Sequence, residues 1–262
     1  MPPSKNNGLF RNTLLGVLFV VAVVAFWQFS APYIPPTNNT TPTPTPTPTF
    51  TSTPTPTNTP PVETVKAFWK FNENNGTIAT DSSGNGHSGT IINGVYSVGV
   101  ESSSAISLNG NGYVEIPASG SLSGGNKIKI SAWVKPVLGT RGAIISNWYY
   151  QYASNTNQRS YVLVIEPNGA VSFALSPDGT SNNAYWLTSS TILQSGVWTL
   201  VEAENDGNTM KIKINNVIDP NSRSAPYAIF QSNHNAYIGA WDANGAMGEF
   251  YNGLIDELKI TG

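Results

Sequence analysis

The sequence predicts an all-β fold for residues 63–262, a two-sheet antiparallel sandwich preceded by one N-terminal transmembrane helix and a disordered Pro/Thr linker. Three observations carry this. Short runs alternating apolar and polar side chains recur along residues 63–262. Asn-Gly and Asp-Gly dipeptides punctuate them, and no stretch shows the 3.6-residue apolar period of an amphipathic helix. From Asn12 to Val62 the chain carries no charged residue at all.

Residues 1–13 form a short N-terminal segment bearing Lys5 and Arg11. Leu14 to Trp27 is then unbrokenly apolar, and with Phe29, Tyr33 and Ile34 the segment 14–34 reaches 21 residues, about 30 Å of helix, which just spans a bilayer. The flanking Lys5 and Arg11 place the N-terminus in the cytoplasm and the C-terminal domain outside, a single-pass signal anchor. A cleaved secretory signal is the alternative. Its cleavage chemistry is poor, because Phe29-Ser30-Ala31 puts a bulky residue at minus three and Pro32 follows the cut. A pilin-type start fits less well, since Thr13 stands where pilins carry glutamate and Pro32, Pro35 and Pro36 end the helix.

Residues 35–62 are a Thr/Pro repeat, with proline at 42, 44, 46, 48, 54 and 56. Alternating proline favours extended polyproline II, so this stretch reads as a stalk about 85 Å long at roughly 3.1 Å per residue. Asn38 and Asn39 lie in Asn-x-Thr sequons within it.

Composition excludes several functions. Only 11% of the chain is charged, with 13 basic and 15 acidic residues; Lys5 and Arg11 precede the domain, leaving residues 63–262 at 11 basic against 15 acidic. Such a surface has no basic face for nucleic acid. With no cysteine, disulfide scaffolds, thiolate metal sites and thiol nucleophiles are all excluded.

Within 63–262, Ile128 to Val134, Val171 to Leu175 and Met210 to Ile214 alternate with period two, each able to bury one face. Tyr161 to Ile165 is apolar throughout, as in a central strand buried on both sides, and Pro167-Asn168-Gly169 turns it back. Further turns are expected at Asn93-Gly94, Asn109-Gly110, Asp178-Gly179, Asp206-Gly207, Asn244-Gly245 and Asn252-Gly253. About a dozen strands over about two hundred residues suffice for a core that folds without disulfides.

In order along the chain come Phe68-Trp69-Lys70-Phe71-Asn72-Glu73, the loop Asp81 to Gly89, Ser107-Leu108-Asn109-Gly110, Tyr113 to Pro117, and Ile130 to Pro136. Gly196-Val197-Trp198, Asp206-Gly207, Ile238-Gly239 and Asn252 to Ile260 complete the series. This ordered set, over residues 66–261, resembles the laminin G-like (LamG), concanavalin A-like lectin/glucanase jelly rolls of bacterial surface proteins. Asn72, Leu200 and Asn205 depart from it, standing where Asp, His and an aromatic are common. The resemblance implies a jelly-roll sandwich with first and last strands side by side. It also implies a structural Ca²⁺ at the sandwich rim with Asp81 and Asp256 among its ligands; Asp81, Ser83 and Asn85 are in any case the hard oxygen donors calcium prefers.

Two further sites are candidates. Glu202, Glu204 and Asp206 lie at i, i+2 and i+4, which on a strand places alternate Cα atoms roughly 6.6 to 6.8 Å apart on one face, a spacing compatible with glycosidase carboxyl pairs. The related β-glucanases resemble Glu-x-Asp-x-Glu, an order not kept here, and Asp206 sits in a turn; with Val201 and Ala203 facing inward, Glu202 and Glu204 read as merely solvated, and no enzyme is expected. The other candidate is a sugar-binding surface. Trp69, Trp133 and Trp198 belong to the shared framework and are expected in the core. Trp148, Tyr149, Tyr150 and Tyr152, followed by Asn155, Asn157, Gln158 and Arg159, together with Trp186 and Trp241, place flat aromatic faces beside amides and charges, as pyranose binding requires. The expected partner is a polysaccharide or other glycan; the alternative is a surface protein bound by an interaction or envelope-structural module of the same fold.

Overall fold

The computed structural model describes residues 63–152, 154 and 156–262. The expected N-terminal segment, anchor at 14–34 and linker at 35–62 lie outside the described residues, as does Asn155. Among the described residues no helix is long and apolar enough to cross a membrane.

Among the described residues sixteen strands occur in order: β1 (Val65–Trp69), β2 (Ile78–Ala79), β3 (Gly89–Val98), β4 (Ser104–Ile116), β5 (Ile128–Pro136), β6 (Gly142–Gln151), β7 (Thr156–Ile165), β8 (Ala170–Leu175), β9 (Tyr185–Ile192), β10 (Thr199–Asn205), β11 (Thr209–Ile214), β12 (Val217–Ser224), β13 (Ala236–Ile238), β14 (Trp241–Ala243), β15 (Ala246–Gly248) and β16 (Asn252–Thr261). The count exceeds the dozen expected because β2, β13, β14 and β15 are two or three residues long, too short to show a period.

The hydrogen-bonded path runs β12-β11-β10-β5-β16-β4-β13-β6-β7-β8-β9. It folds into two layers that share one core. From the first layer Ile130, Ala132, Val134, Val201, Ala203, Ile212 and Ile260 point inward; from the second, Ile144, Tyr161, Leu163, Val171 and Phe173 meet them. β4 belongs to both layers, pairing with β16 through Ile106–Asn109 and with β13 through Val114–Ile116. The first and last strands are antiparallel neighbours, with Phe68 opposite Lys259 and Trp69 opposite Leu258.

The ends of the path, β12 and β9, are stitched by one carboxylate. Buried Asp219 accepts the backbone N–H groups of Ser190, Thr191 and Asn221. Burial alone would raise its pKa, but these donors outweigh it and hold the carboxyl down at about 2.

Several expectations shift. β5 and β11 bury alternate residues, as their period requires. β8 alternates in sequence yet is buried on both faces: Ala174 packs in a second, tryptophan-bearing cluster and the Ser172 hydroxyl pairs with that of Thr188. Asn93-Gly94 and Asn109-Gly110 are not hairpin turns; they lie inside β3 and β4, where Asn93 takes φ 53° and the register slips between Ile92 and Gly94. Asn252-Gly253 opens β16, and any Cβ on Gly253 (φ 138°) would collide with the Lys135 carbonyl. Trp69 is core and donates its indole N–H to the His87 carbonyl at 2.8 Å. Trp133 and Trp198 are not core, being half-exposed: Trp133 falls on the outward register of β5, opposite Leu200.

Candidate functional site

The residues expected to form one sugar-binding surface divide among three places. Trp148, Trp186 and Trp241 gather on the outer face of the second layer, over Ala143, Val162, Val164 and Ala174. Trp148 is 5% exposed and meets Trp186 edge-to-face at 5.7 Å. Arg141 lies 5.3 Å from the Trp186 ring and 5.1 Å from the Trp241 ring, and pairs with Glu166 at 3.2 Å and Glu249 at 3.8 Å. These indoles are largely occupied by one another and by a cation already neutralised; together they act as a second small core.

Tyr149 turns the other way and stacks on His234, 3.7 Å between centroids and 5° between planes. The Asp242 carboxylate lies 3.9 Å from the Nε2 of that imidazole. Burial lowers the His234 pKa and raises that of Asp242, each group opposing the shift of the other. Nothing in the local sequence around His234 signalled this partnership.

Tyr150, Tyr152 and Arg159 come together at the loop end. β6 and β7 pair Tyr150 with Asn157 and Trp148 with Arg159, across a bulge at Asn147. This brings Arg159 over the Tyr150 ring at 4.3 Å, while Tyr150 and Tyr152 meet edge-to-face at 4.8 Å. With Gln151, Asn157, Thr180, Ser181 and Asn182 they line a cleft of about 390 Å³. Tyr152 is 76% exposed, and its backbone N–H is fixed by the Asn244 side chain at 3.0 Å. The Ser181–Asn183 turn separates this cleft from one of about 440 Å³ lined by Asn182, Asn183, Tyr185, Arg223 and Tyr227. There Tyr185 and Tyr227 stack at 6.0 Å and Arg223 lies 5.3 Å from the Tyr185 ring.

On the outer face of the first layer, Phe68, Trp133, Leu200, Ser131, Glu202 and Lys259 border a groove of about 540 Å³. The sequence reading missed it because Trp133 was assigned to the core. Glu202 and Glu204 do share the outer face of β10, above buried Val201 and Ala203. Each is engaged: Glu202 with Lys129 at 3.1 Å and Glu204 with Lys213 at 3.3 Å. Asp206 accepts the N–H groups of Asn208 and Thr209 in the turn.

The expected calcium ligands Asp81, Asn85 and Asp256 are each engaged in hydrogen bonds within the protein. Asp81 accepts backbone N–H from Phe68, Ser83 and His87 at 2.9 to 3.0 Å. Burial would raise its pKa, but those bonds leave it below the ordinary value. Asp256 accepts from Val100, Ser103 and Glu257, and burial lifts its pKa. Asn85 donates its amide N–H to the Val65 and Lys66 carbonyls. Each of these donors occupies a lone pair that would otherwise be open to a cation. Among the described residues no three His, Cys, Asp or Glu side chains cluster for a metal.

Residues 108–262 match the family model of the concanavalin A-like lectin/glucanases superfamily. The chain belongs to this superfamily. No curated protein matches significantly. Among solved structures, domain 4 of AbnA, a GH43 extracellular arabinanase from Geobacillus stearothermophilus seen in complex with arabinotriose, is 25% identical. It aligns over 76% of this chain and 92% of that one, with a TM-score of 0.50. The binding domain of Paraclostridial Mosquitocidal Protein 1 (15% identity, TM-score 0.57) and that of Botulinum Neurotoxin DC in complex with SialylT (16%, TM-score 0.54) share the fold. The concanavalin A-like chain aligns over 76% of its own length and 48% and 47% of theirs.

Proposed function

We propose that this chain is a non-catalytic carbohydrate-binding module whose ligand seats at the loop-end cleft of Tyr150, Tyr152 and Arg159. One observation carries the reading: Tyr152 is 76% exposed yet held edge-on against Tyr150, at the mouth of a cleft of amides and hydroxyls. An open aromatic face takes the C–H side of a pyranose or furanose ring, and the amides of Gln151, Asn157 and Asn182 are suited to its hydroxyls. The arabinotriose complex of a superfamily relative that aligns over nearly its whole length supports the choice of ligand class.

The cleft-bearing domain is displayed outside the cell, anchored by residues 14–34 and held off the membrane by the 35–62 stalk; the support is the apolar run, Lys5, Arg11 and the Thr/Pro repeat. Alkaline extraction should leave the chain with membranes, and protease added to intact cells should release the domain.

The test is retention on a panel of immobilised polysaccharides. Tyr152→Ala should lose retention at an unchanged melting temperature. Equal retention by this variant would place the ligand elsewhere, and no retention by the parent on any glycan would favour a protein partner. Neither the parent nor Glu202→Gln with Glu204→Gln should hydrolyse the polysaccharides of that panel; hydrolysis by the parent that the double variant loses would overturn the non-catalytic reading.

A further inference from the structure

Three arginines lie among the described residues, and they are not treated alike. Arg141 is paired with two carboxylates. Arg159 is 6% exposed, more deeply buried, and among the described residues has no ion-pair partner within 4 Å. Its Nη1 donates to the Asn157 Oδ1 at 2.5 Å, its guanidinium stacks on Tyr150, and its Nε is enclosed with no hydrogen-bond partner. A buried, permanently charged group without a counter-charge is costly, and proteins rarely leave one so.

The surroundings do not supply the missing charge. No Asp or Glu lines the Tyr150–Tyr152 cleft or the adjoining one beyond the Ser181–Asn183 turn. The nearest acid in that loop, Asp178, is turned inward on its own turn, accepting from the Thr180 N–H at 2.9 Å, the Thr180 hydroxyl at 2.8 Å and the Asn183 amide at 2.6 Å. The third arginine, Arg223, lines the adjoining cleft and donates to the Trp186 carbonyl at 3.0 Å, again with no acid within ion-pair distance. Two cationic clefts side by side stand out in a domain carrying 11 basic against 15 acidic residues.

We infer that the loop-end cleft selects an acidic saccharide, a chain containing uronate-type carboxylates, with one carboxylate completing Arg159. The planar guanidinium edge matches a carboxylate, and charge-assisted hydrogen bonds in an enclosed cleft are worth more than neutral ones. Arg223 attracts a second carboxylate further along the chain, with less force because it is exposed to solvent and salt. This specificity rests on the glycan-binding reading of the same cleft.

The experiment measures binding of the chain by calorimetry to polygalacturonate, to the same polymer after methyl esterification, and to neutral arabinan. Polygalacturonate should bind, esterification should weaken it at least tenfold, and the affinity should fall as salt rises. Arg159→Gln should weaken polygalacturonate binding at least tenfold, and Arg223→Gln by a few-fold. Because Arg159→Gln keeps polar atoms in the cleft, Arg159→Met is the companion: it should bind no better than Arg159→Gln while melting close to the parent or above it. Equal affinity for the acidic and esterified polymers, or for arabinan, overturns the acidic specificity and leaves glycan binding standing. Binding to none of the three, with none on the wider panel either, overturns both. A large fall in melting temperature for Arg159→Met, with the acidic preference absent in the parent, marks Arg159 as purely structural and also overturns the inference.

Discussion

The outer-face cluster around Arg141 and the loop-end cleft around Arg159 are built from the same parts, an arginine laid against aromatic rings beside β6, yet they serve different ends. In the cluster, two indoles flank the guanidinium and Glu166 and Glu249 neutralise it, so its charge is answered within the fold. In the cleft, one tyrosine supports the guanidinium, no acid approaches, and the second tyrosine faces solvent. A satisfied aromatic-cation arrangement stabilises; an unsatisfied one, at the mouth of a cavity, is available to a ligand.

The comparison breaks most visibly at Trp148. Its replacement by alanine removes a nearly buried indole from the cluster and should cost about 3 to 4 kcal/mol in denaturant titrations. Arg141→Ala loses two ring contacts and strands Glu166 and Glu249, for about 2 kcal/mol. Arg159→Met should instead stay within about 1 kcal/mol of the parent or exceed it, because an uncompensated buried charge is removed; a cost above that of Arg141→Ala would erase the distinction between the two sites.

Asp219 sharpens the contrast from the acidic side, being a buried charge fully answered by backbone N–H groups. Its pKa near 2 lies below the unfolded value, so its contribution is complete above about pH 4 and is lost as the pH falls towards 2. Asp219→Asn should cost about 1 to 2 kcal/mol at neutral pH and flatten that acid-side loss of stability. The smallest stability effect is expected at Tyr152, where truncation to alanine should change folding by less than about 0.5 kcal/mol while removing glycan retention. Chelator should leave the melting temperature unchanged, since hydrogen bonds within the protein already hold the Asp81 and Asp256 carboxylates.

Much of the fold was legible because strand burial follows a local rule. In β5, β10 and β11 the alternation of Ile, Val and Ala with Lys, Glu and Ser states which face is inward before any partner is known. Register and layering were less accessible. Trp133 looked like core from its framework motif, but its parity in β5 sends it outward, a fact present in the sequence once Ile130, Ala132 and Val134 are taken as the inner row. The bulge at Asn93 was mistaken for a turn because Asn-Gly serves both, and only the continuing pairing of β3 with β4 separates them.

The binding residues show the limit more clearly. The seven residues expected to form one surface comprise the run from Trp148 to Arg159 and two tryptophans, Trp186 and Trp241, outside the shared framework. Tyr149 and Tyr150 are adjacent, yet alternate side-chain direction and the bulge at Asn147 send one to His234 and the other to Arg159. Composition and period, which act through local geometry and the burial of apolar faces, determined the all-β class, the inward rows of its strands and the shortage of charge before residue 63. Only the tertiary structure decided which arginine found acids and which did not, because a counter-charge is a partner across space: Glu166 and Glu249 reach Arg141 from distant points of the chain, whereas among the described residues no acid pairs with Arg159.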